Sequence, residues 1–455
     1  MYDLAILGAK LLDGSGSPAI EADLAVTDGR IARIGEVEAG RARRTVRGEG
    51  LTLAPGFIDS HTHDDGYLIV HPDMTPKVSQ GVTTVVTGNC GISLAPLVRS
   101  EVPQPLDLLG PGELFRYPRL ADWRAAVEAG RPAVNAVPLI GHTTLRVAAM
   151  ADTGRPAADQ EIAAMRDLLE RAMDDGGFGV STGTFYPPAA AAPPEEVIAV
   201  CAPLAGRRAI FATHLRDEAD AIVPAMEEAL AAARSCGATL VFSHHKLAGA
   251  ANHGRSRETL ALIARAAADM PVCLDCHPYP ATSTMLRLDR ARLASRTLIT
   301  WSKGYPAAAG RDFAEVCAEL GLDDAAAVDR LKPAGAIYFL MDEADVARIF
   351  ADPRTMVGSD GLPFDPHPHP RQWGTFPRVL GAFVRERGIL GLAEAVHRMT
   401  GLAAANYGLP ERGLLREGYW ADLVLIDAAT VADRATFAEP KQISAGIVGV
   451  WTNGE

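Results

Sequence analysis

Eight short apolar runs recur along this chain, near residues 53–61, 82–90, 133–141, 178–183, 208–214, 239–245, 271–277 and 355–360. Several are separated by stretches in which apolar residues fall at helical spacing. "DQEIAAMRDLLERAMDDGG" (159–177) keeps such a stripe and stops on Gly-Gly, and "DEADAIVPAMEEALAAARSCG" (217–237) is similar. A strand that returns parallel to its predecessor needs a long crossover, usually a helix, so this alternation selects a parallel sheet. Eight such units predict an α/β fold, the (β/α)8 TIM barrel, with its functional groups at the C-terminal ends of the strands. At 455 residues the chain is long enough for that barrel with additions.

Those additions have their own signatures. "DLAILGAKLLDG" and "ADLAVTDGRIARIGE" alternate or run apolar between Gly and Asp turn signals, and "GYWADLVLID" and "AGIVGVWTNGE" share that texture. They predict one small β-sandwich domain built from both termini, residues 1–52 plus 412–455, around a barrel over 53–411. About 77 residues separate the seventh and eighth runs, too many for one crossover helix. "SKGYPAAAGRDFAEVCAELGLDDAAAVDRL" in that gap predicts an inserted helical subdomain over 281–345, placed as a lid.

Composition narrows the function classes. The net charge of −12 argues against a nucleic-acid partner, because phosphate binding needs a basic face. It gives no reason to expect an anionic membrane surface either. No run approaches the ~18 apolar residues of a membrane span, and "MYDLAILGAK" lacks the features of a secretory leader. The six cysteines, 90, 201, 236, 273, 276 and 317, are too sparse for a disulfide framework, which fits a reducing cytoplasm. "CLDC" (273–276) has redox spacing, but its apolar setting predicts buried, inert thiols. Nothing in the sequence sets an oligomeric state.

The chemistry lies at the strand ends. The first run ends in His61 and His63, the second in Cys90, the fifth in His214, the sixth in His244 and His245, and the last in Asp360. Any one of these alone has a bland explanation, a histidine satisfied in the core or an aspartate in a turn. Together they predict a metal site. Imidazole nitrogen and cysteine sulfur suit Zn²⁺, which keeps a position open for water and lowers that water's pKa toward ~7. Asp360 is the candidate carboxylate to accept the water's proton and pass it to a leaving group. Adjacent strand residues face opposite ways, so His244 is kept as a ligand and His245 is not.

"PGFIDSHTHDD", "GNCGISLAPL", "GHTTLR", "STGTFYPP", "ATHLRDE", "SHHK", "GSDGLPFDPHPHPRQWGTFPRVLG" and "GYWADLVLID" resemble, in order from about residue 3 to 427, the N-acyl-D-amino-acid deacylase (D-aminoacylase) family. That family belongs to the metal-dependent amidohydrolase superfamily. The resemblance implies that Cys90 is a metal ligand where many relatives use a carboxylated lysine. His214 and His244 then complete a tightly held zinc site, and His61 and His63 hold a second, weaker metal. Asp360 corresponds to the general acid/base. Lys246, Ser283 and Arg371 match positions that grip the substrate's α-carboxylate, and His277 stands where the family usually has a tyrosine with that task. Arg290, in "MLRLDRARLASR" with Arg287 and Arg296, matches an arginine of relatives selective for acidic D-amino acids. The chain also stops at "WTNGE", short of the family's usual final strand.

The implied activity is zinc-dependent hydrolysis of small-molecule N-acyl-D-amino acids, with acidic side chains preferred. The products are a carboxylate and a free D-amino acid. Two rival expectations differ in kind: an amidohydrolase acting on a cyclic amide or D-dipeptide, or a non-catalytic binding relative. Asp360 beside a full ligand set weighs against the second.

Overall fold

The structure is a computed structural model, and it describes residues 1–38 and 40–455. Five strands open the chain: β1 (Tyr2–Leu11), β2 (Ile20–Thr27), β3 (Arg30–Gly35), β4 (Ala42–Arg47) and β5 (Thr52–Pro55). The inner strands follow as β6 (Phe57–Asp59), β7 (Val82–Thr87), β8 (Asn135–Pro138) with its continuation β9 (Ile140–Gly141), β10 (Gly179–Gly183), β11 (Ile210–His214), β12 (Thr239–Phe242) and β13 (Val272–Cys276). An insert contributes β14 (Ala281–Met285), β15 (Arg296–Ser302) and β16 (Ala334–Phe339) before the last inner strand, β17 (Thr355–Val357). The chain ends in β18 (Leu423–Ile426) and β19 (Ile447–Trp451).

The inner strands pair only in parallel, as β8–β7–β6 and as β9 through β13 to β17. Backbone bonds connect the two sets at both edges. Leu139 N donates to Thr87 O (3.0 Å) and Phe178 N to Pro138 O (2.9 Å), while Ser60 N donates to Val357 O (3.2 Å) and Asp360 N to His61 O (2.8 Å). Runs such as "VTTVVT" and "IFATH" are buried at every residue, as strands covered on both faces must be. Alternate residues Ile58, Val86, Val137, Ile210, Ala212, Val241 and Met356 pack into one inner cluster. Their neighbours Val85, Phe211, Leu240 and Leu274 pack outward. Amphipathic helices such as Asp159–Asp174 and Ile222–Cys236 cover that outer layer, burying Met165 and Leu169 from the first, Met226 and Leu230 from the second.

Three expectations are refined. The first apolar run, 53–61, is two strands. At Gly56 a Cβ would stand 2.2 Å from Thr83 Oγ1, so only glycine lets the chain pass from β5 into β6 there. The insert is not purely helical: β14, β16 and β15 form an antiparallel sheet, beside helices Leu288–Leu293, Phe313–Leu320 and Asp324–Leu331. "RTLITWS" and "AGAIYF" carry the β-branched and aromatic residues that suit a pleated surface. The terminal strands, expected as a sandwich, belong to one connected sheet in the order β19–β18–β5–β1–β2–β3, with β4 also on β1. A register shift between Ile6 and Ala9, with Gly8 at φ +67°, bends β1. Its first half then pairs with β4 and its end with β5, and the sheet curls over Leu4, Ile6, Leu24, Leu53, Leu423, Leu425 and Trp451. Among the described residues no helix is long and apolar enough to cross a membrane.

Candidate active site

Each inner strand hands its polar residues to the same end of the molecule. His61 and His63 follow β6, Cys90 follows β7, His214 ends β11, His244 follows β12 and Asp360 follows β17. Cys90, His244 and Asp360 have φ values of +52°, +36° and +50°. For a residue with a Cβ that backbone costs about 1–3 kcal/mol, which the packed strand ends sustain. The "GNCG" turn leaves no space for side chains beside the cysteine. A Cβ on Gly88 would sit 2.0 Å from Leu139 O, and one on Gly91 would sit 2.7 Å from Gly183 N.

The donor atoms of Cys90, His214 and His244 lie within 4.8 Å of one another, and so do those of His61, His63, Cys90 and Asp360. Cys90 belongs to both groups. Its Sγ stands 3.2 Å from His244 Nε2 and 3.3 Å from His61 Nε2. Asp360 Oδ1 is 3.3 Å from His63 Nε2 and 3.5 Å from His61 Nε2. His245 points away, its Nε2 2.9 Å from Thr259 Oγ1.

Two observations test whether these residues suit a metal. Both ring nitrogens of His214 and Nδ1 of His63 are buried without a hydrogen-bond partner. Buried polar atoms are rarely left so, and a missing ion is one explanation of an exception. Burial also lowers the pKa of His61 to about 3 and pushes His214 and His244 below the usual histidine range. These rings are neutral, the form that ligates. Burial raises the Cys90 thiol, with Asp360 adding to the effect, so a thiolate there needs a positive partner. The donor set of one sulfur and several imidazoles fits zinc.

Asp360 is 5% exposed. Burial pushes its carboxyl up, but Arg371 and the neighbouring imidazoles outweigh this and hold it well below the usual carboxylate range. Arg371 Nη1 forms an ion pair with Asp360 Oδ2 (2.9 Å) and donates to His277 Nε2 (3.0 Å) and Thr282 Oγ1 (3.1 Å), while Nη2 donates to Ser283 O (3.1 Å). A guanidinium only donates, so His277 accepts through Nε2 and carries its proton on Nδ1. His277 and Arg371 therefore stand behind Asp360, away from the cavity wall. That wall includes His63, Phe185, His214, Glu218, His244, Lys246, Ser283, Arg290 and Asp360. Ser283 reaches the cavity, but its hydroxyl donates to Ala336 O (3.1 Å). Of Arg287, Arg290 and Arg296, Arg290 lines the cavity, its guanidinium 4.4 Å from the Phe185 ring centroid, while Arg287 stacks on the same ring at 4.5 Å. Arg287 pairs with Asp289 and Arg296 with Asp312, and the carboxylate partner is exposed in the first pair, the arginine in the second.

The structure adds residues that sequence reasoning missed. Glu218 sits in the wall between Lys246 and Arg290. Asp275, inside "CLDC", accepts from His244 N (2.7 Å) and stands 3.3 Å from His61 Nδ1. Lys77, fully buried, bonds Asp59 and Ser359 at 2.8 Å each and ties the end of β6 to the residue before Asp360. The family motif around Glu218 was the one available signal. The six cysteines are free and buried, Cys273 and Cys276 among them.

Comparison with known proteins now decides the family. The profile of the amidohydrolase family matches residues 44–455. N-acyl-D-aspartate deacylase of Alcaligenes xylosoxydans xylosoxydans is 69% identical over 99% of this chain and 91% of its own length. This chain belongs to the amidohydrolase family, among the D-aminoacylases. A D-aminoacylase crystal structure, from work on the functional role of its binuclear metal centre, superposes with a TM-score of 0.98 at 54% identity, covering 100% of this chain and 96% of that one. N-acyl-D-glutamate deacylase of Bordetella bronchiseptica, solved with zinc and a phosphonate mimic of the tetrahedral intermediate, gives 0.96 at 47% identity over 100% and 96% of the two chains.

Proposed function

We propose that this protein is a zinc-dependent deacylase of N-acyl-D-amino acids that prefers acidic side chains, D-aspartate first. One observation carries the preference. Arg290 is 6% exposed and lines the cavity that holds Asp360, and its Nη1 is buried without a partner. An unpaired guanidinium nitrogen in an enclosed cavity asks for a carboxylate oxygen. The relative at 69% identity, an N-acyl-D-aspartate deacylase by name, supports the same choice.

Cys90, His214 and His244 would hold the tight zinc, with His61 and His63 at a weaker second position. Bound there, zinc supplies Lewis-acid polarisation of the acyl carbonyl and a water acidified toward neutral pH. Asp360 is ionised, and its Oδ1 faces the imidazoles, placed to take the water's proton and return it to the departing amine. Arg371 holds the other oxygen, Oδ2, and so fixes the carboxylate's rotation. Lys246 and Ser283 meet the α-carboxylate and Arg290 the side-chain carboxylate. The preference for D substrates comes from the family and not from a distance in this site.

The architectural reading belongs to the same proposal. The eight inner strands act as one closed (β/α)8 barrel over 53–411, with a β domain from 1–52 plus 412–455 and a lid over 281–345. Supporting the lid is the size of the cavity, about 20 Å³, room for a water-sized occupant only. An N-acyl amino acid enters when Arg290 and its neighbours in the insert move. Buried free cysteines fit a cytoplasmic setting.

Steady-state kinetics on N-acetyl-D-aspartate, N-acetyl-D-leucine and their L forms tests the proposal. Arg290→Ala is expected to lower kcat/KM for the D-aspartate substrate roughly 10–100-fold, the worth of a charged hydrogen bond, and to leave D-leucine within a few-fold. An unchanged D-aspartate to D-leucine ratio would remove the acidic preference. Absence of turnover on every D substrate, in zinc-loaded protein, would remove the deacylase reading.

A further inference from the structure

Glu218 follows His214 by one turn of loop and is 4% exposed. Its Oε1 accepts from Lys246 Nζ (2.5 Å) and stands 3.3 Å from His244 Nδ1, while its Oε2 accepts from Arg290 Nη2 (3.2 Å). One carboxylate thus touches a residue of the metal cluster and both cations of the cavity wall. A ring that ligates through Nε2, as His244 faces Cys90, keeps its proton on Nδ1 and needs an acceptor for it. Lys246 Nζ, 2.6 Å from that nitrogen, can only donate, so once Nδ1 carries its proton Nζ has to turn aside and keep its bond to Glu218. Glu218 Oε1 is the acceptor in reach. Arg290 is held from above by the Phe185 ring, which sets the height of the guanidinium but not its rotation. The bond to Glu218 Oε2 sets that rotation and leaves Nη1 facing the cavity.

We propose that Glu218 is a positioning residue that joins the two halves of the site: it orients His244 for zinc and aims Lys246 and Arg290 at the substrate's carboxylates. This inference rests on the metal and substrate roles proposed above. It predicts that one side chain sets two otherwise separate properties, zinc affinity and the KM for acidic substrates.

The test uses the full chain with Glu218→Gln, which keeps the shape and removes the charge. Zinc affinity is measured by competition with a chromogenic chelator, folding by the thermal unfolding midpoint, and kinetics at saturating zinc. Zinc affinity is expected to fall about 10–100-fold, the usual effect of removing a partner behind a ligating histidine. At saturating zinc, kcat recovers to within a few-fold of wild type. KM rises, more for N-acetyl-D-aspartate than for N-acetyl-D-leucine, because only the acidic substrate uses Arg290. An unchanged zinc affinity in folded protein overturns the proposal, and so does an unchanged KM. A lower KM for the acidic substrate also overturns it, since Glu218 would then be a competing charge. If Glu218→Gln does not fold, Glu218→Asp, charged but too short to span both partners, is judged by the same readings. Wild-type protein that binds no zinc would instead sink the metal reading on which this one rests.

Discussion

The two ends of the inner strands differ in a way that size alone would misrepresent. At the start of strands β8 and β10 lies a groove of about 530 Å³, walled by Trp123, Val127, Arg131, Asn135, Phe178 and Arg412. At the opposite end the cavity holds about 20 Å³. The larger groove is chemically finished. Trp123 Nε1 donates to Asp65 O, Asn135 Nδ2 to Thr83 O, and Arg412 pairs with Asp422. Among the described residues, none in its wall carries a buried polar atom without a partner. The small cavity has four in its wall, one on His63, two on His214 and one on Arg290. Chemistry is marked by unmet bonding capacity rather than by empty space.

Positive φ values draw the same contrast. At the small cavity they fall on Cys90, His244 and Asp360, where they aim donor atoms inward. At the groove the φ of +47° at Arg131 does no more than end the helix Leu120–Gly130.

Variants at each end should therefore respond differently. The largest effect is expected from Asp360→Asn, which should lower kcat by about 10²–10⁴-fold with the unfolding midpoint nearly unchanged. Activity retained within ten-fold would show that the proton is carried elsewhere. Next comes Asp365, buried at the same end with Oδ2 unpartnered and its pKa raised by burial to about 7. The unfolded chain releases this proton near the ordinary aspartate value of 3.8, while the folded chain keeps it to about 7. Stability falls as pH rises through that window and the full cost is present above it, up to about 4 kcal/mol. Asp365→Asn should consequently leave urea unfolding near pH 4 unchanged and raise stability by about 1–4 kcal/mol at pH 8. An equal effect at both pH values would place its origin in packing. The smallest effect belongs to the groove. Arg131→Gly should raise stability by about 0.5–1 kcal/mol by relieving the left-handed backbone, with kcat/KM unchanged. A large kinetic change there would mean that the two ends are coupled.

Legibility in the sequence divides along physical lines. His61, His63, Cys90, His214, His244 and Asp360 could be placed because each closes an apolar run, and strand ends converge in a parallel α/β fold. Glu218 could not. A charged residue in a loop reads as solvated, and its burial depends on Lys246 and Arg290 arriving from two other segments. Asp275 was hidden by its cysteine neighbours, which drew attention to redox spacing. His277 was placed by likeness to a substrate-binding tyrosine, whereas its ring faces Arg371. The insert's strands were missed because "RTLITWS" pairs with the distant "AGAIYF", and that in turn with β14, contacts invisible to local pattern.

The curled terminal sheet has a consequence for biosynthesis. β5 pairs Leu53 with Leu425 of β18, so strands made early wait for one made more than 350 residues later. Until then the apolar faces of Leu4, Ile6 and Leu24 lack the cover that Leu423, Leu425 and Trp451 provide. Pairing across such sequence distance is slow, and an uncovered strand edge invites the wrong neighbour. The strands β1 and β2 therefore stay exposed to aggregation until β18 and β19 close over them, and those two late strands act as the latch that ends the risk.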